Sequence, residues 1–71
     1  MKYLVIVEKG DTGYGAYVPD LPGCIAVAET EDEVLELIEE AIEFHLEGLK
    51  EEGLPMPSIH SAVRYVDIQP A

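Results

Sequence analysis

Ala16-Tyr17-Val18-Pro19-Asp20-Leu21-Pro22-Gly23-Cys24 is the stretch that decides how this chain folds. Pro19 and Pro22 each fix φ near −65° and remove a backbone donor. Val18 and Leu21, which precede them, are pushed towards extended conformations. Gly23 can take a positive φ that Cys24 would resist. The spacing predicts a strand that ends at Val18, a stiff corner, and a new strand that begins at Cys24.

Two strands are expected before the corner. Lys2 to Glu8 carries Tyr3, Val5 and Val7 on one face and Leu4 and Ile6 on the other. Apolar residues on both faces mark a central strand covered on two sides. Lys9-Gly10-Asp11-Thr12-Gly13 supplies a hairpin turn. Tyr14 to Val18 follows, with Gly15 leaving a flat spot where another backbone could approach. Beyond the corner, Cys24 to Ala28 reads as the third strand of a meander.

The next segment is a helix. Thr30 and Glu33 have the spacing of a capping box, and Glu31, Asp32 and Glu33 place negative charge at the positive end of the helix dipole. Val34, Ile38, Ala41, Ile42, His45 and Leu49 recur at three- and four-residue intervals, widened by Leu35 and Leu46. Glu36, Glu40, Glu43, Glu47 and Glu51 form the opposite ridge. Gly53 is placed to end the helix, and Pro55 and Pro57 forbid its continuation. Gly48 lies inside it at a cost of about 1 kcal/mol relative to alanine, which predicts a close contact there. After a proline-braced connector, Ala62 to Ile68 reads as a fourth strand.

The expected fold is therefore α+β with element order β-β-β-α-β. A right-handed crossover would lay the last strand parallel to the first, giving a four-stranded, mostly antiparallel sheet of order 3-2-1-4 with one long helix on one face. The other sheet face stays partly apolar and calls for a second molecule, so a homodimer is expected.

Seventy-one residues make one domain, spanning 1–71, and a chain this short buries only about 60% of its unfolded surface. One cysteine forms no internal disulfide, and Cys24 with the distant His45 and His60 is not a zinc set. Cys24 reads as a small buried hydrophobe and His45 as a half-buried helix residue. The net charge of −11, fifteen acids against four bases, repels a nucleic-acid backbone and suits a basic protein partner. Leu4 to Val7 is too short for a signal peptide and no apolar run spans a membrane, so a cytoplasmic setting is expected.

The chemistry-bearing residues are sparse. A Ser/His pair around Ser58, His60 and Ser61 lacks an orienting acid and a nucleophile elbow in the sequence. The glycines of Gly10 to Gly15 do not have the spacing or the following helix of a phosphate loop. The carboxylates concentrate on a helix, where i, i+4 acids usually form a solvated face. The four tyrosines, without basic neighbours, read as packing and interface groups. No cofactor, metal or catalytic residue is assigned.

The segment Tyr14-Gly15-Ala16-Tyr17-Val18-Pro19-Asp20-Leu21-Pro22-Gly23-Cys24 resembles the signature of the HicB antitoxin family, in which an aromatic strand runs into P-D-L-P-G-C. Glu29-Thr30 before the acid-rich helix start resembles that family's G-D-T-x-E-E-A, with Ala28 for its glycine and Asp32-Glu33-Val34 for its E-E-A. Gly53-Leu54-Pro55-Met56-Pro57 resembles its helix exit. The resemblance covers residues 1 to about 68. It implies a partial RNase H-like fold without the nuclease carboxylates, and a non-enzymatic antitoxin that neutralises a small basic HicA-like mRNA interferase by docking on it. Many family members also carry a C-terminal DNA-binding domain. This chain stops at Ala71, so the expectation is no direct binding of operator DNA. The contact residues expected are Tyr14, Tyr17 and Asp20 at the turn region and Glu36, Glu40, Glu43 and Glu47 on the acidic face. Two other readings stand beside this one: an orphan dimeric regulatory or scaffolding module of the same fold without a toxin, and a vestigial RNase H-like nuclease, which would need carboxylates clustered on strands.

Overall fold

The structure, a computed structural model, describes residues 1–70. Three strands, β1 (Ile6–Lys9), β2 (Tyr14–Tyr17) and β3 (Ile25–Ala28), form an antiparallel meander with β2 in the middle, and one helix, α1 (Glu31–Glu51), packs across β2 and β3. Tyr17 is the shared register point, opposite Ile6 on one side and Ile25 on the other.

The corner is built as the prolines and the glycine dictate. The Leu21 amide donates to the Val18 carbonyl at 3.0 Å, and the Cys24 amide donates to the Leu21 carbonyl at 3.1 Å. Each bond closes a four-residue turn with proline at its second position. In the second turn Gly23 sits at φ 85°, the left-handed geometry a type II turn requires at its third position. A further bond from the Val18 amide to the Cys24 carbonyl, 3.2 Å, ties the two ends of the corner together. This folding-back drives Leu21 inwards. Ala16, Val18, Leu21 and Cys24 meet Val34 and Ile38 of the helix, and these six residues are the buried core. Leu21 is 0% exposed.

The helix begins and ends where expected. Thr30 is the N-cap, its hydroxyl accepting from the Glu33 amide at 3.1 Å. Glu52 is the C-cap, and Gly53 follows at φ 73°. Gly48, however, has no atom within 4 Å of where a Cβ would lie. The close contact predicted there is absent within the chain. Gly48→Ala is expected to raise stability by about 1 kcal/mol, read as a higher urea midpoint at unchanged slope. The tight backbone approach occurs instead at Gly13, where a Cβ would lie 2.5 Å from the Ala28 carbonyl oxygen; at Gly15 the nearest atom is 3.9 Å away.

The expected four-stranded sheet of order 3-2-1-4 does not form. The sheet has three strands in the order β1-β2-β3, β1 is an edge, and residues 62–68 join no ladder. Two physical causes act. First, β1 is only four residues long, because the register that sets Ile6 opposite Tyr17 leaves Val5 and the residues before it facing a β2 that has already turned at the corner. Second, the connector is pinned before it can reach β1. The Tyr3 hydroxyl donates to the Pro57 carbonyl at 2.9 Å, and His60 and Ser61 are bound to Asp20. Past Ser61 the chain leaves the body as an exposed arm, with Tyr65 94% exposed. The radius of gyration is 14.5 Å, against about 11 Å for a compact chain of this length.

Candidate partner-binding surface

Three surfaces and one buried cluster result from this fold. The first surface is the sheet face turned away from α1. Alternation along the strands places Ile6, Tyr17, Ile25 and Val27 there, and Tyr17, Ile25 and Val27 are exposed. Ile6, Tyr17 and Ile25 form one cross-strand row. The bare apolar sheet face foreseen from the sequence is present.

The second surface is the outer ridge of α1. Glu36, Glu40, Glu43 and Glu47 all lie exposed on it, three and four residues apart. Between adjacent turns these carboxylates repel one another by a few tenths of a kcal/mol per pair. The third is a flank between α1 and the start of β3. Phe44 is 80% exposed beside a groove of about 410 Å³ that Ile25, Ala41 and Gly48 also line. His45 is half-buried at its floor, next to buried Cys24, whose thiol pKa burial pushes up. The helical positions of Leu37 and Phe44, off the main apolar stripe, were the available signal for this flank.

The buried cluster centres on Asp20, the one charged residue in the core. Its Oδ2 accepts from the His60 amide at 3.2 Å and the Ser61 amide at 3.3 Å; its Oδ1 accepts from the Ser61 hydroxyl at 2.6 Å and lies 3.1 Å from His60 Nε2. His60 Nδ1 lies 3.2 Å from the Ser58 carbonyl. All three side chains of a serine–histidine–acid set are present, but in the wrong order. A relay needs the imidazole between hydroxyl and carboxylate. Here the carboxylate lies between the other two and takes the hydroxyl proton's hydrogen bond itself. The geometry is that of an anchor for the connector.

The hydrogen bond from the Ser61 hydroxyl, aided by the two amides and His60, holds the Asp20 carboxyl below its ordinary value of 3.8. Burial opposes this and loses. A depressed folded-state pKa means the anchoring is fully present above the ordinary aspartate value and is lost as pH falls through the lower, folded one. The His60 and Ser61 amide resonances are expected to titrate with a midpoint below 3.8, and Asp20→Asn is expected to abolish that titration.

Of the residues singled out from the sequence, Tyr17 and the four glutamates stand on exposed surfaces, on opposite sides of the molecule. Tyr14 lies on the inner sheet face, packed against the core, and Asp20 is enclosed by the connector. The Asp20–His60–Ser61 cluster escaped the sequence reading, because no local pattern links residues forty positions apart. Among the described residues no group of metal-ligating side chains comes together, and no helix is long and apolar enough to cross a membrane.

An acidic helix ridge set against a bare apolar sheet face gives this chain broad exposed surfaces of opposite character. The chain belongs to the HicB-like antitoxin family of bacterial toxin–antitoxin systems, whose family model matches residues 3–71. Among curated relatives, it is 36% identical over 67 residues to an uncharacterised 14.9 kDa protein of Haemophilus phage HP1, covering 94% of this chain and 50% of that one. It thus spans about half the length of the phage protein. It is 46% identical over 51 residues to a UPF0150 protein of Archaeoglobus fulgidus, covering 70% of this chain and 74% of the relative. A UPF0150 protein of Synechocystis is 39% identical over 67 residues, 93% and 85% of the two chains. Among solved structures, a chain of a HicA3 and HicB3 toxin-antitoxin complex superposes with a TM-score of 0.69 at 33% identity, over 84% of this chain and 70% of that one.

Proposed function

We propose that this chain is a non-enzymatic, cytoplasmic antitoxin-type domain that binds a small basic HicA-like mRNA interferase and blocks its RNA-binding surface. The observation that carries the reading is the likeness, in sequence and in fold, to a chain of a HicA3 and HicB3 toxin-antitoxin complex. The charge supports it. With −11 on 71 residues, and Glu36, Glu40, Glu43 and Glu47 aligned on one ridge, the chain attracts a basic surface from a distance. Once the two meet, exposed apolar side chains such as Tyr17 and Phe44 supply contact area. Residues 1–71 are taken as one domain: the corner and α1 share the one core, and the connector is tied to the corner through Asp20.

The test is reconstitution with the cognate toxin. A salt-sensitive complex and suppressed RNA cleavage are expected; no complex at low ionic strength removes the proposal. The exposed arm favours a second reading, an orphan module of the same family whose main interaction is with itself. A small basic reading frame beside this one distinguishes the first from the second.

A further inference from the structure

The geometry points to mutual strand exchange between two copies of this chain, with the arm of each, residues 62–68, seated along the β1 edge of the other. Four observations lead there. The arm has the alternation of a strand, with Ala62, Arg64, Val66 and Ile68 on one face and Val63, Tyr65 and Asp67 on the other, yet it pairs with nothing among the described residues. A seven-residue strand spans about 23 Å, ample for the length of one edge.

A seat for it exists on the same molecule. β1 is an edge strand, and beside the chain leading into it runs a groove of about 440 Å³ lined by Tyr3, Val5, Leu35, Ile42 and Leu46. An open edge over an apolar groove is a ready template for an added strand.

The chain's own arm does not fill that groove. Its root is fixed at the Asp20 anchor and by the Tyr3–Pro57 bond, and the arm runs outwards from there. A second copy carries the identical arm and the identical edge, so one twofold arrangement seats both arms on both β1 edges.

Charge selects this pairing over other contacts between copies. Fifteen acids make most of the surface self-repelling, but the arm carries only one of them, Asp67, and Met1–Lys9 only one, Glu8. These are the two stretches that exchange would bring together. The groove's rim carries Glu39 and Glu43, and the arm carries Arg64, whose guanidinium bonds only the adjacent Val63 carbonyl among the described residues.

The inference stands apart from the toxin reading, because it is tested on the chain alone. Light scattering on the full chain at tens of micromolar is expected to give the mass of two chains. The double variant Val66→Glu/Ile68→Glu alters side chains that are exposed in the single chain, so its fold is retained, which circular dichroism checks. It is expected to give the mass of one chain. Arg64→Glu is expected to weaken the dimer about fivefold at low salt, and Glu39→Arg with Glu43→Arg to restore it. A native chain that stays single, a dimer that survives the double variant, or one indifferent to Arg64→Glu would each overturn the proposal.

Discussion

Leu21→Ala is expected to lower the melting temperature by about 10–30 °C, or to abolish a cooperative transition altogether. The reasoning is one of proportion. A chain of 71 residues has a total stability of about 4–10 kcal/mol. Removing a buried leucine costs about 2–5 kcal/mol, the more so where the surroundings cannot collapse into the space. Leu21 is fully enclosed, and its backbone is held by two consecutive proline turns and the Val18–Cys24 bond, so the corner cannot relax into the cavity. The same side chain is the centre of the contact between the corner and Val34 and Ile38 of α1. Loss of packing there detaches the helix from the sheet. The control is Tyr65→Ala, at an exposed arm position, expected to change the single chain's stability by less than about 0.5 kcal/mol. A Leu21→Ala protein melting within a few degrees of the native one would show that the corner is not the centre of the fold.

The second large effect concerns association. Replacing Glu36, Glu40, Glu43 and Glu47 together by glutamine is expected to slow association with the toxin about a hundredfold at low ionic strength. The four carboxylates are four of the nine acids of α1 and act at long range as a block. Their effect is on encounter, so the rates of native and variant proteins are expected to converge as salt shortens the screening length to about 3 Å near 1 M. The variant's own stability is expected to rise slightly, because like-charge neighbours at i, i+3 and i+4 are removed. That combination, a more stable protein that binds more slowly, distinguishes a docking ridge from a merely solvated one. An association rate unchanged at low salt would assign the ridge to solubility alone.

Local chemistry was legible in the sequence wherever neighbours in the chain decide it. Pro19, Pro22 and Gly23 fixed the two turns; Thr30, Gly53 and the apolar spacing fixed the helix to within a residue at each end. Long-range placement was not legible to the same degree. The alternation of Ala62 to Ile68 is a real strand signal, but it says nothing about whose edge the strand will meet. The connector's fate was set by Asp20, forty residues away, whose carboxylate captures His60 and Ser61. The central position went to β2 instead of the first strand for a related reason. Apolar residues on both faces of Lys2–Glu8 point to a strand covered on two sides, whereas Tyr3 and Val5 pack towards the helix from an unpaired segment. For the surface, the glutamate ridge followed from helical spacing, while the Phe44 flank required knowing on which side β3 lies.

The measurement that bears most directly on the account is an RNA-cleavage assay of the cognate basic toxin, titrated with this chain at low salt. The expected result is cleavage that falls in proportion to added chain and stops near equivalence, with activity returning as salt is raised. Cleavage undiminished by an excess of folded chain would contradict it.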